Sequence, residues 1–270
     1  MKNSMTPSAE TDIRALSESV ARILTHPDPG RVIELVDSPS RGLFGFNSRD
    51  RRSRPFNLLR SQILKISRNK NFRIIGVTSA TPQVGKTFTS SNLATALSRI
   101  PGLRVLLIDL DLRRGSIAEA FGIEVEVGIQ SYLSGETDVL DTATYHIENT
   151  GLTILPCTPT MESSAEILAG PRLGQLVSAL RQLPEDLICI CDLPPAFAND
   201  DTAIALRELD AYIFVVEEGR TTANQVRDSI DLLLPSPCVG TVLNKYKGGI
   251  GGDNYGFGYG TSRYYDEYYS

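Results

Sequence analysis

The stretch RIIGVTSATPQVGKT, residues 73–87, decides the fold of this chain. An apolar run typical of a buried strand leads directly into a turn, and a helical pattern follows from Lys86 to Arg99. The turn matches G-x-x-x-x-G-K-[ST], the P-loop pattern, with Ala80 in place of the first glycine. This order predicts a loop that binds phosphate, because backbone N–H groups and the helix N-terminus both point at the anion.

The loop also predicts the contacts of a bound nucleotide. Lys86 is expected to reach between the β- and γ-phosphates, and Thr87 to offer its hydroxyl to Mg²⁺. A chance match in a strand, turn and helix is the alternative, and the flanking pattern argues against it. The predicted nucleotide-binding residues of the loop are Thr81, Pro82, Gln83, Val84, Gly85, Lys86, Thr87 and Phe88.

Two further apolar runs end in carboxylates. VLLIDLDLRR places Asp109 and Asp111 at and just beyond the end of one predicted strand, and LICICDLPP places Asp192 at the end of another. Ligands of open parallel sheets bind outside the carboxyl ends of the strands, so these aspartates are expected beside the phosphate loop. Mg²⁺ prefers oxygen ligands and keeps several waters, so one aspartate could bind it through water. Helix capping is an alternative for one of the three.

The alternation of strand and helix patterns covers residues 56–245. Continuous apolar strands separated by helices predict an α/β fold, with a mostly parallel sheet and helices on both of its faces. We therefore assign 56–245 to one P-loop NTPase domain. Predicted strands lie at 73–79, 104–109, 152–157, 187–192, 211–217 and 238–244, and predicted helices at 56–67, 86–99, 172–182 and 221–233.

Residues 1–55 are expected to form an N-terminal extension. Apolar residues at helical spacing predict an amphipathic helix over 9–25, which we expect to pack on its own domain rather than on a partner. Residues 37–55 are rich in Ser, Gly and Arg and predict a linker. Six arginines and one aspartate lie between Arg41 and Arg60. Such a run is usually solvated, and contact with an acidic partner or anionic lipid is the alternative.

Residues 246–270 form a different kind of segment, with seven glycines and seven tyrosines. Glycine at this density makes ordering costly, and the segment has no periodic apolar face to compensate. We predict a flexible C-terminal tail. A self-associating aromatic segment of low complexity is the alternative.

Composition argues against several functional classes. A net charge of −5 and a pI near 5.2 give the molecule no electrostatic basis for coating nucleic acid. We expect neither a signal peptide nor a membrane-spanning helix, since no suitable apolar run exists. With His26 and His146 as the two histidines, histidine zinc sites and Ser-His-Asp catalysis are not expected. The run LICICD predicts that Cys189 and Cys191 are buried in a strand as small apolar residues. A metal or redox role is the alternative, which the scattered positions and the lack of C-x-x-C spacing disfavour for the four cysteines Cys157, Cys189, Cys191 and Cys238.

Together these motifs resemble the bacterial tyrosine kinases (BY-kinases) of exopolysaccharide and capsule assembly. In that family the P-loop is accompanied by one run ending D-x-D-x-R and another ending D-x-P-P, and the tail holds an autophosphorylation cluster. The corresponding runs are VLLIDLDLR (105–113) and ICICDLPP (188–195). The likeness spans about 56–245 and includes GIQSYLSGE (128–136), ILPCTP (154–159), VVEEGRTT (215–222) and GTVLNK (240–245).

The resemblance implies an ATP- and Mg²⁺-dependent protein-tyrosine kinase that phosphorylates its own tail, between protomers. It implies that Asp109 acts as base or orienter towards the tyrosine hydroxyl, and that Asn244 faces the adenine. The implied catalytic residues are Lys86, Asp109, Asp111, Arg113 and Asp192, and the implied metal ligands are Thr87, Asp111 and Asp192. The implied acceptors are Tyr255, Tyr259, Tyr264, Tyr265, Tyr268 and Tyr269.

The resemblance also implies partners and a location. A membrane-embedded polysaccharide co-polymerase would activate the kinase and hold this cytoplasmic chain at the inner membrane. Further copies of the chain and a protein-tyrosine phosphatase are the other implied partners, and nucleic acid is not one. Each phosphate adds about −1.5 to −2 charges, so several would repel acidic surfaces and break an assembly.

The sequence departs from the family in two places. The family loop commonly reads P-G-E-G-K, whereas Gln83 and Val84 follow Pro82 in this chain. The family's E-x-x-R-x-x-R oligomerisation helix keeps only its last arginine, Arg60. One alternative function is a nucleotide-gated switch of the partitioning type, although such proteins carry a lysine where this chain has Thr81. Another is an adaptor that binds ATP for structure alone.

Overall fold

A single sheet organises the computed structural model, which describes residues 7–35, 38–160 and 163–247. Within these residues eight strands lie in the order β1-β4-β5-β3-β6-β2-β7-β8. Neighbouring strands are parallel except β4 and β5, so the short edge strands β1 and β4 run opposite to the other six. The strands are β1 (Val32–Ile33), β2 (Ile74–Ser79), β3 (Arg104–Asp109), β4 (Tyr145–Ile147), β5 (Leu152–Leu155), β6 (Leu187–Asp192), β7 (Ala211–Glu217) and β8 (Cys238–Asn244).

Helices cover both faces of the sheet, as the sequence predicted. Successive residues of a strand point to opposite faces, so Val105 and Leu107 join one core while Leu106 and Ile108 join the other. Among the described residues, no helix combines the length and the apolar character needed to cross a bilayer. The helices are α1 (Pro7–Thr25), α2 (Arg54–Lys70), α3 (Lys86–Ser98), α4 (Ile117–Phe121), α5 (Ile129–Ser134), α6 (Ser164–Ala169), α7 (Pro171–Gln182), α8 (Asp201–Leu206) and α9 (Ala223–Leu232).

The long elements match the predicted ones within a few residues, and β7 and β8 match them residue for residue. The sequence analysis missed β1, β4 and the short helices α4, α5, α6 and α8. Each has at most six residues, too few to display a period of two or of 3.6. Cys189 and Cys191 lie buried in β6, as expected.

Helix α1 packs against α7 of its own domain. Its residues Val20 and Ile23 are buried within the same core as the inward face of α7. The expectation that this amphipathic helix covers its own domain is therefore confirmed by the packing.

Residues 38–53 of the arginine-rich stretch have turns instead of long elements, yet they are attached to α3. The Asn92 side chain is fully buried, and its Oδ1 accepts the N–H groups of Phe44 and Gly45 at 2.7 and 3.1 Å. Its Nδ2 donates to the carbonyl oxygen of Gly42 at 2.9 Å. A Cβ on Gly45 would lie 2.4 Å from the carbonyl oxygen of Asn92. The stretch thus approaches α3 as closely as glycine permits, which its polar composition did not reveal.

We expect Asn92→Ala to lower the free energy of unfolding by about 2–4 kcal/mol, because it leaves several buried backbone groups without partners. Urea unfolding measures this change, and faster trypsin cleavage after Arg41 and Arg49 should accompany it. Asn47→Ala, an exposed asparagine of the same stretch, is the control and should change stability by less than about 0.5 kcal/mol. Equal stabilities of the two variants would contradict this account of the attachment.

Candidate functional site

The turn between β2 and α3 has the backbone of a phosphate loop. Gln83 and Gly85 have φ of +65° and +95°, in the left-handed region. Conformations of alternating hand arrange successive N–H groups into a concave nest that attracts anions. Within the described part of the chain, the backbone N–H groups from Gln83 to Thr87 have no protein acceptor. These donors, at the N-terminus of α3, are therefore available to a phosphate.

Asn244, at the end of β8, lies against this loop. Its Nδ2 donates to the carbonyl oxygen of Val84 at 2.8 Å. A Cβ on Gly85 would collide with the same nitrogen, and the positive φ of this residue also favours glycine. The amide of Asn244 thus supports the loop from β8, which lies two strands away from β2, and its contact with adenine stays a prediction.

Two predicted aspartates lie side by side at the ends of β3 and β6. Asp109 and Asp192 are register partners, and both are fully buried. Oδ2 of Asp192 accepts the hydroxyl of Thr87 at 2.5 Å, while its Oδ1 is buried without a hydrogen-bond partner among the described residues. Asp109 accepts the N–H groups of Asp111 and Ile117, each at 3.1 Å. The structure therefore brings Thr87, Asp109 and Asp192 together.

Burial shapes the electrostatics of this carboxylate pair. Desolvation raises the pKa of Asp192 to about 6, although the nearby Lys86 ammonium opposes the shift. Burial also raises the pKa of Asp109 well above its usual range, and the charge of Asp192 adds to this effect. Asp111 is 6% exposed, and desolvation raises its pKa against the influence of Lys86. Burial therefore favours the neutral forms of these carboxyl groups unless a further positive charge is bound beside them.

These features fit a divalent cation bound together with phosphate. The unsatisfied Oδ1 of Asp192 and the Thr87 hydroxyl are oxygen ligands of the kind that Mg²⁺ prefers. No three Asp, Glu, His or Cys side chains of the described residues form a metal site by themselves. A cation at this place would therefore complete its coordination with water and phosphate oxygens, as Mg²⁺ does in nucleotide sites.

Arg113 is held near the site by two residues that the sequence analysis did not identify. Its Nε donates to Ser164 Oγ at 2.8 Å and lies 3.5 Å from Asp201 Oδ2. Ser164 in turn donates to the buried Asp201 carboxylate at 2.7 Å. Ser116 was missed as well, and its Oγ lies 2.7 Å from the Thr87 hydroxyl. No local pattern identifies these residues, because α8, which begins at Asp201, is too short to display a period and a single serine carries no signal.

Phe88 contributes to an aromatic cluster. Its ring contacts Phe44 and Phe56 edge-on, with centroids 6.1 and 5.5 Å away. Phe88 is 37% exposed. Its predicted contact with nucleotide stays a prediction, as do those of the loop residues Thr81 and Pro82.

Comparison with known proteins agrees with this geometry. Residues 75–254 match the CobQ/CobB/MinD/ParA nucleotide binding domain. The chain belongs to this family. The chain is also similar to the tyrosine-protein kinases Etk of Escherichia coli and YwqD of Bacillus subtilis. This similarity confirms the resemblance to bacterial tyrosine kinases.

Etk is 34% identical over 160 residues, which cover 59% of this chain and 22% of Etk. YwqD is 29% identical over 197 residues, covering 72% of this chain and 81% of YwqD. The solved kinase domain of Escherichia coli ETK superposes with a TM-score of 0.69 at 27% identity, covering 80% of this chain and 84% of that domain. This chain spans less than a quarter of the length of Etk.

The raised pKa of Asp192 predicts a pH-dependent effect of Asp192→Asn. Because the folded protein binds this proton more tightly than the unfolded chain does, the ionised carboxylate destabilises the ligand-free fold above about pH 6, and this effect disappears towards about pH 4. The stability of Asp192→Asn relative to wild type should therefore rise by about 2–3 kcal/mol from about pH 4 to about pH 7. Urea unfolding at several pH values checks this. A difference that stays flat or falls with pH would refute it.

Proposed function

We propose that this chain is a protein-tyrosine autokinase that transfers the γ-phosphate of ATP to tyrosines of its own C-terminal segment. The tyrosine kinases among its relatives support the activity. The observation that favours tyrosine phosphorylation over nucleotide binding alone is the position at which the tyrosine-rich segment begins. Asn244 and Lys245 contact the phosphate loop through the carbonyl oxygens of Val84 and Gln83. The segment therefore starts beside the phosphate site.

The length of the segment allows its tyrosines to approach a phosphate site. An extended chain from Lys247 reaches about 26 Å to Tyr255 and about 73 Å to Tyr269. This reach includes the chain's own site and that of a neighbouring copy, and the family likeness favours the neighbour. The proposed acceptors lie outside the described residues: Tyr255, Tyr259, Tyr264, Tyr265, Tyr268 and Tyr269.

In the proposed reaction the tyrosine oxygen bonds to the γ-phosphorus, the bond to the β–γ bridging oxygen breaks, and ADP leaves. Lys86 stabilises the charge that develops on the phosphate oxygens. Asp109 orients the loop after β3, because both of its oxygens already accept backbone N–H groups. Asp111 accepts the hydroxyl proton, since its carboxylate is slightly exposed and its pKa is raised.

Mg²⁺ is the cofactor that we propose for this site. Thr87 would hold it directly, with Asp111 beside it and Asp192 acting through water. When bound, the cation neutralises charge between the β- and γ-phosphates. Arg113, held by Ser164 and Asp201, supports the same side of the site.

We further propose a role in exopolysaccharide synthesis or export, as the family likeness implies. A membrane-embedded co-polymerase would activate the chain and hold it at the cytoplasmic side of the inner membrane. Phosphorylated tails would repel one another within an oligomer, and a protein-tyrosine phosphatase would restore the assembly.

Incubation with Mg·ATP followed by mass-spectrometric mapping of phosphotyrosine tests the autokinase proposal. Wild type should label tyrosines beyond Lys247, and Lys86→Met should lower labelling at least about 100-fold, because it removes a charge that stabilises the transition state. Lys65→Met, an exposed lysine of α2, is the matched control and should label normally. A chain that ends at Lys247 should lose the mapped sites.

Two outcomes would count against the autokinase. Undiminished tail labelling of Lys86→Met, with contaminating kinases excluded, would contradict the role of this site. ATP hydrolysis without phosphotyrosine, even with an activator present, would favour the alternative of a nucleotide-gated switch.

A further inference from the structure

We infer that Lys245 is a positioning residue that holds the phosphate loop in its binding conformation, and this inference rests on the nucleotide site proposed above. Lys245 Nζ donates to the carbonyl oxygen of Gln83 at 2.6 Å. The same ammonium lies 3.2 Å from Glu217 Oε2. Lys245 thus joins the loop after β2 to the carboxyl ends of β7 and β8.

Gln83 needs such a restraint because of its backbone conformation. Its φ of +65° lies in the left-handed region, which only a few per cent of residues with a Cβ occupy. Glycine adopts this conformation freely, whereas glutamine does so only under restraint. Without an external contact, Gln83 would favour negative φ, which turns its carbonyl group and the following N–H away from their present directions.

The restraint is built on two hydrogen-bonded strands, β7 and β8. Asn244 and Glu217 are register partners on β8 and β7, and the N–H of Glu218 donates to the carbonyl oxygen of Asn244 at 3.2 Å. Asn244 binds the carbonyl oxygen of Val84 while Lys245 binds that of Gln83. Two consecutive residues thus hold two consecutive carbonyl groups of the loop.

The geometry distinguishes this arrangement from an ordinary surface ion pair. Exposed pairs of lysine and glutamate generally contribute little, because water screens both charges. The Lys245 side chain is 44% exposed and that of Glu217 is 14% exposed. However, the shorter contact of Lys245 is a charge-assisted hydrogen bond to a backbone carbonyl, which fixes the direction of the loop itself.

A double-mutant cycle on nucleotide affinity tests the inference. The proteins are wild type, Lys245→Met, Gln83→Gly and the double variant, and the probe is a fluorescent N-methylanthraniloyl-ADP with Mg²⁺. Lys245→Met should weaken binding about tenfold in the wild-type background, the effect expected for losing a hydrogen bond from a charged donor. In the Gln83→Gly background it should weaken binding about twofold or less, because glycine does not oppose positive φ.

Lys70→Met, in the last turn of α2, controls for the loss of one positive charge and should leave the affinity unchanged. Equal weakening by Lys245→Met in both Gln83 backgrounds would overturn the inference, because it would indicate a direct contact with nucleotide or a general charge effect. No weakening in either background would also overturn it, since Lys245 would then be an ordinary surface lysine.

The two experiments distinguish a failure of the autokinase proposal from a failure of the inference about Lys245. Nucleotide binding with the predicted cycle but without phosphotyrosine would refute the autokinase and support the role of Lys245. If wild type bound no nucleotide, the same cycle measured by urea unfolding of the ligand-free proteins would decide. A smaller effect of Lys245→Met in the Gln83→Gly background would then support the restraint, and additive effects would refute it.

Discussion

Two carboxylates are buried beside each other, and the need to compensate their buried charge is the constraint on which the rest of this molecule depends. Asp109 and Asp192 face each other across β3 and β6, away from water. Burial and mutual repulsion both oppose their ionisation. Backbone N–H groups satisfy Asp109 and the Thr87 hydroxyl binds one oxygen of Asp192, but the other oxygen has no partner among the described residues. A cation bound at this place would complete the arrangement with a hard oxygen ligand and a compensating charge.

The order of the strands in the sheet places these two carboxylates next to the phosphate loop. β6 lies between β3 and β2, so the loop that follows β2 emerges beside the strands that carry both carboxylates. Apolar residues on alternate faces fix the register of these strands, because a shift by one residue would move every side chain to the opposite face. Packing in the two cores therefore sets the distances within the site.

Much of this arrangement could be predicted from the sequence. The six long strands and the five long helices have continuous or periodic apolar patterns, and the loop and its aspartates follow from their places at the strand ends. β1 and β4 are too short to show a pattern. The hydrogen bonds of Asn92 to 42–45 and of Lys245 to Gln83 join residues 47 to 162 positions apart, and no local pattern encodes such a pairing. The tertiary contacts that adjust the site are thus the part that sequence reasoning missed.

Anomalous diffraction from a crystal grown with Mn²⁺ and a non-hydrolysable ATP analogue tests the central claim most directly. We expect one manganese peak bonded to Thr87 Oγ1, within one water of Asp192, with the β- and γ-phosphates against the N–H groups of the loop. A peak elsewhere, or Asp192 turned away from a correctly seated triphosphate, would contradict it.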